Sequence, residues 1–338
     1  MCSSDLAVTN CQAVGLASAR TDILFVVDDS GSMATKQQIL ASNFAAFIDA
    51  LANLPAKNDY QVAVTTTSVN RWVGGTTFDD HFVSPFSSPG ISCTPAPNAG
   101  DPYPAGALVR VSRVVNNPGD PDVCTRRQLT TGTPRVLAAG SPTLVADFTE
   151  NVYVGACGSG KEQGLRAAQL AVSDPLLSGS NAGLLRPGAR LVLIFVTDAD
   201  DCSDPLDQGY SNDPTACTGY PVQDFVDFFQ QPIAGEQRDV LVAGIISVDP
   251  ATGNPQACEV QSPYPACAPS GTFAEHAAPR YKQFVEAFAN GVVDSVCNCS
   301  FEATLLRVAT LIGQEVPLAQ EPAAWQMLSV SLVRPARR

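Results

Sequence analysis

Basic residues are scarce in this chain and never form a cluster. Its 338 residues include 20 Lys and Arg against 33 Asp and Glu, which gives a formal net charge of −13 at pH 7. Nucleic acids and anionic lipid surfaces are bound through grouped positive charge, so this balance argues against either as the main partner. An acidic chain attracts cations instead, which makes metal ions the first ligands to consider.

Histidine and long apolar runs are also lacking. The two histidines, His81 and His276, lie in irregular segments, and no G-x-S-x-G turn presents a nucleophile. The sequence therefore offers no paired base and nucleophile, and it predicts a protein that is not an enzyme. The longest strongly apolar run covers only residues 191–196, which is too short to cross a bilayer.

Cysteine, by contrast, is abundant. Eleven cysteines beside two histidines do not fit a set of Cys/His zinc sites, so disulfides are the simpler interpretation. Disulfides indicate an oxidising compartment, which predicts a secreted, periplasmic or cell-surface protein. The pairs predicted from proximity across loop-like segments are Cys93 with Cys124, Cys202 with Cys217, and Cys258 with Cys267.

The first residues carry no recognisable export signal. Residues 1–5 contain neither a basic stretch nor an apolar one, so we expect the signal to belong to a precursor. Cys2 then stands where a bacterial lipoprotein carries its acylated cysteine, which would attach the protein to a membrane by lipid alone. The other interpretation, that Cys2 is one more disulfide partner, is equally open.

Short apolar runs alternate with stripes of helical spacing along the chain. The runs that predict buried strands are residues 23–27, 62–64, 151–154, 191–196 and 240–248. The stripes that predict helices are residues 40–51, 165–172, 222–229, 281–288 and 305–312. Such alternation predicts a doubly wound α/β fold, with a mainly parallel sheet and helices on both faces.

Stretches rich in Pro, Gly, Asn, Asp and Cys interrupt this regular pattern. We interpret residues 21–313 as one domain that carries loop or hairpin insertions. The insertions are expected at about residues 70–141, 202–220 and 250–278. An amino-terminal segment, residues 1–20, precedes the domain, and a tail, residues 314–338, follows it.

The first predicted strand runs directly into Asp-Asp-Ser-Gly-Ser at residues 28–32. Asp28, Ser30 and Ser32 alternate along this turn, so one carboxylate and two hydroxyls could point to a common place above the sheet. Taken alone, the pattern is equally typical of a helix N-cap turn. It resembles the metal-ion-dependent adhesion site of von Willebrand factor type A domains, in which these three residues would be the ligands from the first loop.

The resemblance extends to two further loops. Where the family places a Thr five residues before a Gly-aliphatic pair, this chain has Ser159 before Gly164. Where the family places an Asp after a buried strand, this chain has Asp198, although Ala199 follows it instead of the usual Gly. The resemblance covers roughly residues 21–313. It implies a metal site made of Asp28, Ser30, Ser32, Ser159 and Asp198.

The ligand types in this set suit Mg²⁺ or Mn²⁺, which prefer six hard oxygens. Hydroxyls with at most two carboxylates leave such an ion electrophilic once water completes its shell. In the family a carboxylate of a partner is thought to replace one water. The resemblance therefore implies a metal-dependent binding module for a protein or other surface ligand that offers a carboxylate.

Two more acidic residues, Asp200 and Asp201, lie just beyond Asp198. They could bind Ca²⁺ as accessory ligands or simply hold their loop. The spacing does not fit an EF-hand, because Cys202 stands at the third ligand position.

Two competing functions are open at this point. Residues 155–161, from Gly155 to Lys161, fit the spacing of a phosphate-binding loop and predict an NTPase. That interpretation fails at Glu162, where the loop needs a hydroxyl for its metal and where a carboxylate repels phosphate. The second alternative is a purely structural domain, in which the metal joins three loops and meets no partner.

Overall fold

The structure, a computed structural model, describes residues 19–30, 32–54, 58–69, 105–110, 133–154, 162–203, 221–257 and 276–314. Its strands are β1 (Ala19–Val27), β2 (Asn58–Thr66), β3 (Val136–Ala138), β4 (Ala189–Val196), β5 (Val240–Ile246) and β6 (Val292–Ser295). Its helices are α1 (Ala34–Ala52), α2 (Leu144–Val152), α3 (Gly164–Ala171), α4 (Val222–Gln230), α5 (Pro279–Glu286) and α6 (Glu302–Ile312). Within these segments, no helix combines the length and the apolar character needed to span a membrane.

The strands form one sheet in the order β3-β2-β1-β4-β5-β6. β3 runs antiparallel to β2, and the other neighbouring pairs are parallel. On β1, Ile23 and Phe25 pack under α1, α2 and α6, whereas Leu24 and Val26 pack under α3, α4 and α5. A strand buried on both faces is apolar at every position. The predicted doubly wound, mainly parallel α/β class is therefore confirmed.

The segment before the Gly-rich turn differs from the prediction. Residues 151–154 were expected to form a strand, but α2 ends there. Leu144, Phe148 and Val152 recur every fourth residue and form one buried stripe. Phe148 stacks on Phe44 of α1, with the ring centroids 3.4 Å apart. The prediction of a strand was wrong because it considered Val152 without Leu144 and Phe148, which show the helical spacing.

The edges of the sheet contain strands that the sequence analysis did not find. β3 lies inside the stretch predicted as an insertion and pairs with β2 over three residues. Next to it, Val109 donates its backbone N–H to Val64 O of β2 at 2.7 Å. β6 has four residues, of which only Val292 and Val293 are apolar. Such short edge strands bury few side chains, so their periodicity is weak.

The direction of winding reverses between β1 and β4. β2 and β3 lie on one side of β1, whereas β4, β5 and β6 lie on the other. The carboxyl ends of β1 and β4 therefore mark the position at which open α/β sheets generally bind ligands. Asp28 follows β1 directly, and Asp198 is the second residue after β4.

Ion pairs close the opposite end of the sheet. The Arg186 guanidinium lies 2.7 Å from a carboxylate oxygen of the fully buried Asp22 and 2.9 Å from Asp59. Burial raises the pKa of the Asp22 carboxyl, and the bonds from Arg186 oppose that rise. Charge at this end is thus neutralised within the chain, and the carboxyl end is the better place to look for ligand chemistry.

Three of the cysteines lie in described segments. Cys202, Cys297 and Cys299 are disulfide-bonded. The other members of the predicted pairs lie outside the described residues, as does Cys2, so the predicted pairings and the lipid anchor stay predictions.

Gly164 begins α3 directly against the side chain of Tyr281. Its N–H donates to Tyr281 Oη at 3.0 Å, and a Cβ at this position would lie 2.2 Å from that oxygen. We expect Gly164→Ala to lower the free energy of unfolding by about 2 kcal/mol, because the buried ring has little room to move. Urea denaturation measures the loss. Gly140→Ala is the matched control, since a Cβ there meets nothing within 4 Å, and equal losses in both variants would contradict the explanation.

Candidate metal centre

Asp28 directly follows the carboxyl end of β1 and is completely buried. Its backbone N–H donates to Val196 O at 2.9 Å, which holds the end of β1 against β4. Its Oδ1 accepts the Ser30 N–H, and its Oδ2 accepts the Thr197 hydroxyl, each at 2.7 Å. The carboxylate is thereby fixed between two loops, and both oxygens keep lone pairs for a cation.

Ser30, Ser32 and Asp198 continue the cluster. The Oγ atoms of Ser30 and Ser32 lie 3.4 Å apart, and Ser32 Oγ donates to Asp198 Oδ1 at 2.8 Å. From the loop after β5, Ser247 Oγ donates to the backbone oxygen of Asp198 at 2.8 Å. Asp198 is buried, whereas Ser32 is half-buried and forms the more accessible side. Hydrogen bonds thus connect four of the five predicted ligands, and Ser159 lies outside the described residues.

An ammonium group enters the same cluster. Lys36, in the first turn of α1, places its Nζ 2.8 Å from Asp198 Oδ2 and donates to the backbone oxygen of Ser32 at 3.3 Å. Only 11% of the Lys36 side chain is exposed. The sequence analysis missed this residue. The available signal was a cation in the first turn of a helix, where the helix dipole disfavours positive charge.

Glu162 adds a third buried carboxyl group near the cluster. Burial raises its pKa well above the usual range, and the negative charges of Asp28 and Asp198 raise it further. Its backbone oxygen accepts the Cys202 N–H at 2.7 Å, so the second loop is tied to the third. Sequence reasoning used Glu162 only against a phosphate-binding loop and had no means of placing it beside Asp28.

Asp200 and Asp201, the predicted accessory residues, hold the starts of two helices. Asp200 Oδ1 accepts the backbone N–H of Arg280 at 3.0 Å, at the start of α5. Asp201 Oδ1 accepts the Leu165 N–H at 3.0 Å, at the start of α3, and its Oδ2 lies 3.1 Å from the Arg280 guanidinium. These bonds account for both carboxylates without an ion, and the accessory Ca²⁺ role stays a prediction.

Asp29 belongs to the neighbouring loop system. Its Oδ1 accepts the Ser68 hydroxyl at 2.7 Å, just beyond the carboxyl end of β2. This bond joins the D-x-S-x-S turn to the loop that follows β2.

The centre is short of positive charge. Burial raises the pKa of the Asp28 carboxyl to about 7, the Asp198 carboxylate adds to the rise, and the bonds from Ser30 and Thr197 oppose it. Removing carboxylates from water disfavours their charged forms, and like charges close by have the same effect. A cation between the carboxylates would offset both effects.

The raised pKa predicts how stability depends on pH in a chelator. Asp28 binds its proton more tightly in the folded chain than in the unfolded one. Its contribution to the free energy of unfolding is therefore complete below about pH 4 and is lost as the pH rises towards about 7. Over that range we expect the free energy of unfolding of wild type, relative to that of Asp28→Asn, to fall by at least about 1 kcal/mol. Urea denaturation in EDTA measures both free energies. A wild-type value that rises with pH relative to that of the variant would contradict the prediction.

Comparisons with known proteins give no match to a family model or to a curated protein. Among solved structures, the chain is similar to proximal thread matrix protein 1 from the mussel byssus (12% identity, TM-score 0.35, 87% of this chain and 48% of that one). It is also similar to a von Willebrand factor type A protein from Catenulispora acidiphila (16% identity, TM-score 0.37, 89% and 44%). A further structure of the mussel protein has a zinc-occupied MIDAS motif. The chain spans less than half the length of these proteins.

The described residues fit a hard divalent cation by their donor types. Two buried carboxylates and two hydroxyl groups lie within one hydrogen-bonded cluster, and oxygen donors of this kind suit Mg²⁺ or Mn²⁺. The described segments contain no group of three or more His, Cys, Asp or Glu side chains placed to hold a metal ion. The predicted set does not need one, because most of its ligands are hydroxyls.

Proposed function

We propose that the chain is a von Willebrand factor type A-like domain and acts as a metal-dependent binding module rather than an enzyme. In this proposal Asp28, Ser30, Ser32, Ser159 and Asp198 hold Mg²⁺ or Mn²⁺. The partner is a protein or other surface ligand that offers a carboxylate. The observation that carries the proposal is the bonded cluster of Asp28, Ser30, Ser32 and Asp198 at the point where the sheet reverses its winding.

Hydrogen bonds within the chain fix the buried ligands of this centre. Thr197 and the Ser30 N–H fix the Asp28 carboxylate at the buried base, and Ser247 fixes the backbone of Asp198. Ser32 lies on the half-buried side, where a partner can approach. When bound, the ion would supply an electrophilic coordination position for the carboxylate of that partner.

The local fold argues against the NTPase alternative. A phosphate-binding loop follows a strand and uses backbone N–H groups at the start of the next helix. Here α2 precedes residues 155–161, and α3 begins only at Gly164. The N–H groups of Gly164, Leu165 and Arg166 are already bonded to Tyr281, Asp201 and Ser203.

The compartment is part of the proposal. Cys202, Cys297 and Cys299 are disulfide-bonded, which supports an oxidising environment. We therefore propose a location outside the cytoplasm, as a secreted, periplasmic or cell-surface protein, with lipid attachment through Cys2 as one form of anchoring. Its acidic balance is consistent with the absence of nucleic acid among its partners.

Calorimetric titration of the whole chain with Mn²⁺ tests the metal. We expect saturable binding of one ion, and no saturable binding would defeat the proposal. An acidic peptide is then added to the Mn²⁺-loaded protein, and the effect of bound Mn²⁺ on water proton relaxation is followed. A carboxylate that replaces water lowers this effect; no change would favour the purely structural ion. ATP binding that is lost in Lys161→Ala would favour the NTPase instead.

A further inference from the structure

Lys36 gives the centre a cation of its own. We propose that Lys36 is an internal competitor for the metal: its ammonium neutralises Asp198 when no ion is bound and leaves Asp198 when a divalent ion binds. The inference rests on the proposed function and adds a control of metal affinity to it. Its chemistry is the exchange of a tethered monovalent cation for a divalent one.

Asp198 is bonded directly to the Lys36 ammonium. Its Oδ1 accepts the Ser32 hydroxyl and its Oδ2 accepts the Lys36 ammonium, each at 2.8 Å. The Ser32 hydroxyl and the Lys36 ammonium thus occupy one oxygen each. A divalent ion bound to Asp198 Oδ2 would lie almost in contact with the ammonium. Repulsion between the two cations is strong at a site with little water. The ion and the Lys36 ammonium therefore compete for Asp198 Oδ2.

Lys36 occupies a position in α1 that is unfavourable for a cation. Lys36 is the third residue of α1, whose first turn has no acidic residue and whose N-cap makes no side-chain bond. The positive end of the helix dipole disfavours a cation there. The helix therefore does not explain why the side chain lies inward and nearly buried. The negative charge of Asp198, 2.8 Å from the ammonium, does explain it.

Competition has two consequences that can be measured. Without metal, the ammonium limits repulsion among the carboxylates, so the empty fold stays stable. With metal, the cost of breaking the Lys36–Asp198 pair is subtracted from the binding free energy, so affinity is lower than the oxygen ligands alone would give. The domain would then respond to changes in ion concentration instead of holding one ion permanently.

Lys36→Met removes the charge and keeps most of the length of the side chain. We expect Mn²⁺ to bind this variant at least about tenfold more tightly than wild type, because a nearly buried ion pair no longer has to break. Lys282→Met is the matched control, since Lys282 pairs with Glu286 on α5 and not with the centre. Equal Mn²⁺ affinity in wild type and Lys36→Met would overturn the inference and leave the proposed function standing. Absence of Mn²⁺ binding in wild type, Lys36→Met and Lys282→Met would overturn both.

Amine labelling separates displacement from simple charge repulsion. Wild-type protein is treated with acetic anhydride in EDTA and in saturating Mn²⁺, and mass spectrometry measures acetylation of each lysine. We expect acetylation of Lys36 to rise several-fold with Mn²⁺ and that of Lys282 to stay constant. Tighter binding in Lys36→Met without a change in Lys36 labelling would overturn displacement.

Discussion

Replacing Asp28 with alanine is expected to weaken Mn²⁺ binding by more than about 100-fold, since even a residue behind the direct ligands often costs 10–100-fold. Asp28 is the most buried carboxylate of the cluster and links Ser30 to Thr197. The adjacent carboxylate, Asp29, bonds Ser68 in the next loop instead. Calorimetric titration measures the loss.

Asp49→Ala is the control for this variant, since Asp49 is an exposed acidic residue of α1 outside the cluster. It should bind Mn²⁺ as wild type does. Asp28→Asn provides a second test if the alanine variant fails to fold, because the amide oxygen can still accept the Ser30 N–H. Saturable binding that survives both substitutions unchanged would defeat the assignment of Asp28 as a ligand.

The central strands could be predicted because their burial is uniform. β1, β4 and β5 are covered on both faces, so residues 23–27, 191–196 and 240–246 are apolar almost without interruption. The edge strands β3 and β6 bury only part of their side chains, and their sequences do not differ from those of loops. α2 had a usable signal in Leu144, Phe148 and Val152, which a longer window would have found.

The site could be predicted only in the part that is local in sequence. Asp28, Ser30 and Ser32 alternate within one turn, and Asp198 follows an obvious buried strand. Both positions lie at the ends of neighbouring parallel strands, so their meeting follows from the topology. Lys36 and Glu162 reach the cluster from a helix and from another loop. Their contribution depends on side-chain direction in the folded chain, which periodicity does not contain.

The loop that carries Asp198 depends on a buried ion pair directly beyond it. Asp201 is fully buried, accepts the Leu165 N–H and the Ser203 hydroxyl, and pairs with Arg280. Burial raises the pKa of the Asp201 carboxyl, and the Arg280 charge opposes the rise. Arg280 and three hydrogen-bond donors therefore stabilise the buried carboxylate. The donors are the Leu165 N–H, the Ser203 hydroxyl and the Ser203 N–H.

Asp201→Ala is accordingly expected to lower the free energy of unfolding by about 3 kcal/mol, because it leaves the Arg280 charge and the Leu165 N–H of α3 without their partner. Urea denaturation measures the loss, which should be the same with and without Ca²⁺. Mn²⁺ binding of the folded variant should remain saturable, since Asp28 and Asp198 are intact. In the double variant Asp201→Leu with Arg280→Met, no charge is left unpaired, and part of the stability should return. A loss that occurs only when Ca²⁺ is present would instead identify Asp201 as an accessory metal ligand.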